Sequence, residues 1–360
     1  MQLMAEWCSL HGIAVWAYDA DGRLTKTTDG NGNQIANVYD DASGTCPSCS
    51  GAPSGKPAKT IFPTFSKEFS YDNRGRKTAE KDVLSDTESA TTQFAYDPRG
   101  SLASKTDKEL KSTAYEYDEL NRLKRVVDPL SQATLYTYDN RDNLLSLTDA
   151  KNQTTTFAYD RNNRLIRETR PMGQETTYQY NQNNQLARKT DAKGQKIDYT
   201  YDDAGRMTKI EYLSSWGFST KTVNLTYDNA GNLTGYSDGT SSATYAYDDL
   251  YRKTGETVNY GTFSLSTGYS YNKNGTKKSF TYPNGTTVEY TYDANNQPAG
   301  ITIPGVGNIS YNSYQWTRPT SMTLPGGGTK QFAYDPLMRT KTITASDPAQ
   351  SSQMSYSYSY

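Results

Sequence analysis

All three cysteines and the single histidine of this 360-residue chain fall into two chelating pairs, Cys8 with His11 and Cys46 with Cys49. Two residues separate the members of each pair, so a meeting of the pairs would build a tetrahedral Cys3His zinc site. The pairs stand further apart than the about 12 to 20 residues of zinc fingers. The other reading is a local disulfide or free thiols at Cys46 and Cys49, with His11 incidental. Asp19-Ala-Asp21-Gly22 and Asp29-Gly-Asn31-Gly-Asn33 crowd oxygens onto tight turns as calcium loops do. No glutamate closes either loop at its twelfth position, and turn formation explains the same residues.

Catalysis finds few candidates. Any Ser-His-Asp triad would have to use His11, and no Gly-x-Ser-x-Gly elbow is present. Glycoside hydrolysis needs one distinguished pair of carboxylates, whereas the aspartates here recur at regular intervals. Pro325-Gly-Gly-Gly-Thr329 lacks the Lys-Ser/Thr ending of a phosphate loop. The chain is expected to have no enzyme activity and no cofactor beyond a structural zinc. With 38 Lys+Arg against 39 Asp+Glu, its formal charge of -1 supplies no field for nucleic acid or anionic membranes. No run of 18 apolar residues spans a bilayer, and the first 16 residues do not read as a signal peptide.

The residue pair that dominates the sequence is Tyr-Asp. It stands at Tyr96-Asp97, Tyr117-Asp118, Tyr138-Asp139, Tyr159-Asp160, Tyr201-Asp202 and Tyr227-Asp228, among others, with Tyr-Asn at Tyr180, Tyr271 and Tyr311. From Tyr96 to Tyr201 the tyrosines follow one another every 21 residues, which marks a tandem array. Two residues before the tyrosine comes a second aromatic, such as Phe94, Tyr115, Tyr136, Phe157 or Tyr199. Residues two apart on a strand share a face, so an aromatic ladder is expected along the array. Four residues after the tyrosine stands Gly or Asn (Gly22, Gly75, Gly100, Asn121, Asn163, Asn184, Gly205, Gly231, Gly275, Asn296), then an apolar residue two further on.

These spacings predict a β-hairpin per unit. A strand ends at Tyr, Asp accepts backbone N–H groups in the turn, Gly or Asn closes the turn as a left-handed bulge residue, and the chain returns through Leu. A second turn follows Thr148 and Thr190. Strands of about seven residues are expected. Leu, Ile, Val and Phe make up roughly 14% of the chain, below the ~20% of a packed core, so the layers should be thin. Some 28 strands at ~4.8 Å each would be on the order of 130 Å wide, and open sheets rarely exceed about ten strands without curling. The expected fold is all-β: one long antiparallel sheet of tandem hairpins, curled into an open, hollow spiral or barrel-like shell with a hole ~25 Å across. Residues 1–17 read as an N-terminal strand segment and 18–360 as the repeat array, interrupted at 42–60 by a Gly/Ser/Pro-rich loop holding Cys46 and Cys49.

Phe157-Ala-Tyr-Asp-Arg-Asn-Asn-Arg-Leu165 and Tyr199-Thr-Tyr-Asp-Asp-Ala-Gly-Arg-Met207 resemble the YD repeat of the Rhs family, shared with toxin-complex proteins and teneurins. The resemblance runs from about Trp16 to Tyr360. It implies a hollow shell that encloses a C-terminal toxin segment or, in teneurins, supports cell adhesion. It further implies a secreted, surface-borne or exported protein whose partners are the toxin domain and the rest of the shell. The family's Asp-Pro-x-Gly-Leu cleavage motif is matched only by Asp97-Pro-Arg-Gly-Ser101 and Asp335-Pro-Leu-Met-Arg339, each broken, so no autoprotease is expected. Because the chain stops at Ser355 to Tyr360 in mid-strand pattern, it reads as a fragment whose free edge would pair with the remainder or with another copy. The aromatic ladder has two readings: rings that stack and stiffen the sheet, or a glycan-binding adhesion surface.

Overall fold

The computed structural model describes residues 15–39, 55–351 and 353–360. They form one antiparallel sheet of 31 strands, from Val15–Tyr18 to Gln353–Ser357, that is not closed into a barrel. The only helical element among the described residues is the 3-10 turn Pro325–Gly327. Strands pair in chain order, hairpin after hairpin. Residues 8, 11, 46 and 49 lie outside the described residues, and so does the proposed zinc or disulfide.

The chain divides into two compact units, residues 113–269 with 281–284, and residues 1–112 with 270–280 and 285–360. The first shows the repeat at its most regular. Strand Thr154–Tyr159 is followed by a five-residue turn, strand Leu165–Thr169, and a second five-residue turn leading to Glu175–Tyr180. The two turns leave strands of six and five residues, shorter than the expected seven. In the first turn the Asp160 N–H donates to the Arg164 carbonyl (3.0 Å) and the Asn163 N–H to the Asp160 carbonyl (3.1 Å). The second repeats this between Arg170, Gly173 and Gln174. All ten Gly and Asn residues expected to close turns have positive φ, as at Asn163 (61°) and Gly205 (81°). Where the 21-residue spacing stretches, the hairpin lengthens, as in Met207–Leu213 and Ser219–Tyr227.

A β-bulge sits at the key tyrosine in the regular hairpins. Ala158 faces Arg167, yet Tyr159 faces Leu165, leaving one residue extra on the return strand. A bulge increases local twist, and it recurs at Tyr138, Tyr180, Tyr201 and Tyr227.

Burial is as thin as the composition predicts. Among the described residues only Ala58, Ala243, Val288 and Met338 are buried apolar side chains, with Thr60 the buried polar one. The sheet is a single layer, so its cohesion must come from contacts within the layer.

The second unit contains a seam between distant segments. The Asn31 Nδ2 donates to Asp293 Oδ2 (2.8 Å), the Thr64 hydroxyl to the Pro336 carbonyl (2.7 Å), and the Phe62 ring lies 5.9 Å from that of Trp316. The turns at Asn31 and Thr64 belong to one rim of the sheet. Those at Asp293, Trp316 and Pro336 belong to the opposite rim, the one where the Tyr-Asp turns lie.

Candidate functional site

The unit of recurring chemistry is the turn after each key tyrosine. Asp160 Oδ1 accepts the N–H groups of Asn162 (2.8 Å) and Arg164 (3.0 Å), and Oδ2 accepts Arg164 Nε (2.7 Å). Asp118 with Arg122 and Asp202 with Arg206 are built the same way. At Asp139 and Asp228 an asparagine, Asn143 or Asn232, takes the arginine's place. Asp97 accepts the Gly100 and Ser101 N–H groups instead. Hydrogen bonds from the Arg164 side chain and then its N–H hold the Asp160 carboxyl below its ordinary range. The same turn chemistry occupies the calcium-like residues: Asp19 is tied to Arg23, and Asp29 to Asn31 and Asn33.

The arginine reaches onward to the next unit. Its guanidinium carbon sits 4.8 Å from the Tyr138 ring centroid for Arg122, 4.7 Å from Tyr180 for Arg164, and 5.0 Å from Tyr227 for Arg206. In the other unit Arg76 covers Tyr96 and Arg339 covers Tyr360, both at 4.6 Å. The expected ladder of aromatics is therefore held by interleaved cations at these key rings. Ring-on-ring stacking occurs elsewhere, at Phe62 with Phe65 and at Tyr260 with Phe263.

The tyrosine hydroxyl completes the relay. Tyr180 donates to the Leu165 carbonyl (2.8 Å), Tyr138 to Leu123 (2.8 Å), Tyr201 to Leu186 (2.9 Å), Tyr227 to Met207 (2.8 Å) and Tyr96 to Lys77 (2.8 Å). The reason lies in the register. Pairing of Leu165–Thr169 with its following strand begins at Arg167, so the Leu165 carbonyl lies before the start of that ladder. A buried carbonyl without a partner is costly, and the hydroxyl supplies the partner. Tyr117 and Tyr159 occupy the same bulge position opposite Leu123 and Leu165. Burial pushes the hydroxyls of Tyr138 and Tyr201 upward and that of Tyr314 up to about 12.

Neighbouring turns are clamped as well. Arg122 Nη1 donates to the Asp139 carbonyl (2.6 Å), Arg164 Nη1 to Asn184 Oδ1 (2.9 Å) and Arg206 Nη1 to the Asp228 carbonyl (2.6 Å). The sequence reading assigned roles to Tyr, Asp and Gly/Asn but none to the arginine five residues after the tyrosine. Its recurrence at Arg122, Arg164, Arg206 and Arg252 was the available signal.

A depression of about 400 Å³ in residues 113–269 is lined by Lys189, Asp191, Lys196, Ile197, Tyr212 and others. Asp191, the sole carboxylate among its lining residues, accepts the Lys193 and Gln195 N–H groups and so belongs to a turn. No helix among the described residues is long and apolar enough to cross a membrane.

Comparison with known proteins follows the same lines. The fold matches the crystal structure of TcdB2-TccC3-TEV with a TM-score of 0.66 at 15% identity, covering 100% of this chain and 22% of that chain. It matches TcdB2-TccC3 without its hypervariable C-terminal region at 0.65 and 15%, covering 99% and 22%. It matches the Photorhabdus luminescens Tc holotoxin pore with a TccC3 mutation at 0.65 and 16%, covering 96% and 21%. The chain thus spans about a fifth of the length of those proteins, and at such identities the likeness is one of fold. No curated protein matches the sequence. The teneurin YD-shell family matches residues 56–183 and 173–360, and on that extent of agreement the chain belongs to the teneurin YD-shell family.

Proposed function

We propose that this chain is a non-catalytic wall segment of an exported polymorphic toxin, whose role is to shield a C-terminal toxic effector. The observation that carries this reading is where the cohesion lies. Asp, Arg and Tyr lock each hairpin to the next within one layer, and almost nothing is buried between layers. A wall held together in its own plane needs no core on either side, which leaves both faces free. Membership of a shell family supports the same role, as does the shared fold with Tc toxin assemblies. The partners in this reading are the effector and the rest of the shell.

The test is to express the C-terminal segment of the full reading frame with and without the array. The expected result is an effector that is inert and protease-resistant with the array, and active and cleaved without it. Equal toxicity and equal cleavage in both forms would refute shielding. Cell or glycan binding by the array with no protection of a downstream segment would instead establish adhesion.

A further inference from the structure

The seam between the turns at Asn31 and Asp293 joins two loops of one pattern, each opening Asp-x-Asn. Asp29 Oδ1 accepts the N–H groups of Asn31 (3.0 Å) and Asn33 (2.8 Å), and Asp293 Oδ1 those of Asn295 (2.8 Å) and Gln297 (2.9 Å). Likeness of the turns makes their contact reciprocal. Asn31 Nδ2 donates to Asp293 Oδ2 (2.8 Å) and to Gln297 Oε1 (3.3 Å), while the Asn295 side chain bonds in return to Asp29. Burial raises the Asp29 carboxyl, yet the side chains of Asn33 and Asn295 hold it below its ordinary range. Gln297 is fixed in orientation, because its Nε2 donates to the Trp316 carbonyl (2.8 Å). Asn31 therefore supplies the donor for two fixed acceptors.

The residue after Asn31 is Gly32, which has no Cβ to hinder its backbone nitrogen from reaching the asparagine Cγ. In that reaction the Gly32 nitrogen bonds to Cγ and loses its proton, and the side-chain amide leaves as ammonia. Water then opens the resulting succinimide at either carbonyl, so a carboxylate, as aspartate or isoaspartate, replaces the amide. In the closed seam both reacting groups are held. The Gly32 N–H donates to the Asp29 carbonyl (3.0 Å), and the Asn31 amide is bonded to Asp293 and Gln297.

We propose that Asn31 is a deamidation site whose conversion locks the seam open. The closed seam protects the amide, opening releases it, and the carboxylate then formed prevents reclosure. At position 31 that carboxylate would meet the Asp293 carboxylate and the Gln297 oxygen, acceptors with no donor among them, and like charges repel. Asn-Gly also occurs at Asn274 and Asn284. Conversion at Asn274 lacks this consequence: its Nδ2 donates to Asn296 Oδ1 (2.8 Å), an amide that can turn to donate instead.

Peptide mapping by mass spectrometry of the full chain, aged at mildly alkaline pH, tests this together with hydrogen exchange across Gln34–Tyr39 and Thr287–Tyr292. Asn31 should convert at least about tenfold more slowly in the folded chain than in denaturant. Asp293→Asn keeps the turn's Oδ1 acceptor but sets an amide donor against Asn31, and should speed conversion in the folded chain about tenfold. Asn31→Asp alone should raise exchange in both strands by about tenfold. Combining it with Asp293→Asn should restore protection, because donor and acceptor have then changed places. An Asn31 that stays intact while Asn274 and Asn284 convert would overturn the proposal, as would conversion at equal rates with and without denaturant. So would Asn31→Asp with exchange unchanged, or a double variant no better protected than the single one, which would mean that any change at Asn31 damages the turn.

Discussion

At the scale of single residues, the key tyrosine does two separable things. Its ring carries a guanidinium and its hydroxyl serves a carbonyl beyond the ladder. Tyr180→Phe removes only the second and should cost about 1 kcal/mol of local stability, whereas Tyr180→Ala should cost about 2 to 4 kcal/mol. Arg164→Ala loses a half-buried ion pair and a cation–π contact, together about 1 to 2 kcal/mol. Arg161→Ala, in the same turn but exposed, should cost under ~0.5 kcal/mol. Hydrogen exchange across Leu165–Tyr180 reads these differences, and equal effects at Arg161 and Arg164 would contradict the relay.

The same residues set the response to pH. The carboxyls of Asp160, Asp202 and Asp248 are held below their ordinary values, Asp160 and Asp248 first by the side chains of Arg164 and Arg252, Asp202 first by the Arg206 N–H. Their stabilisation is complete above the unfolded carboxylate range, near pH 4, and is lost as pH falls through the lowered values. Tyr314, pushed up to about 12, works in the opposite window: its contribution is complete below about pH 10 and lost as pH rises toward its folded value. Melting followed by circular dichroism should therefore fall off below about pH 4 and again above about pH 10. A midpoint that rises on acidification would contradict the assignment.

At the scale of elements, the 21-residue period is two short strands and two five-residue turns, each turn needing one residue at positive φ. Asn163→Ala loses the short polar side chain that lets asparagine tolerate that conformation, and with it the hydrogen bond from Asn143 Nδ2 (3.0 Å), and should cost about 1 to 2 kcal/mol in thermal melts, while Asn163→Gly, which loses the same bond but relieves the strain, should cost less. Turn chemistry was legible in the sequence because Asp and Gly/Asn are required locally, whatever surrounds them. Strand length came out shorter than expected because the second turn is as long as the first, and the Lys193–Gly194 type of turn carries a weaker signal than Tyr-Asp. A left-handed bulge residue in the turn was legible, but the bulge opposite the tyrosine was not: it is a mismatch between two strands, visible only once Tyr159 and Leu165 face each other.

At the scale of the whole molecule, segments some 260 residues apart are held by the seam at Asn31 and Asp293. Gly30 is the tightest point, since a β-carbon there would lie 2.5 Å from the Ala294 carbonyl oxygen. Gly30→Ala should cost about 1 to 3 kcal/mol, as overpacking does. It should lower hydrogen-exchange protection together in Gln34–Tyr39 and Thr287–Tyr292, because strands in such arrays are stabilised mainly by their neighbours. Loss confined to the N-terminal strand would show that the seam carries no energy.

The sequence by itself determined what is local and periodic in this protein: all-β hairpins, the Tyr-Asp turn, the left-handed Gly or Asn, the absence of a thick core, and the YD-repeat resemblance. Each follows from residue types at fixed short offsets, which need no knowledge of distant contacts. Only the tertiary structure decided what Arg164 does, because its partner ring at Tyr180 belongs to the next unit. It alone showed why the tyrosine is not phenylalanine, since the carbonyl it serves lies where strand pairing has not yet begun. And it alone placed Asn31 against Asp293, a contact between turns with 23 strands between them in the chain, which no single repeat encodes.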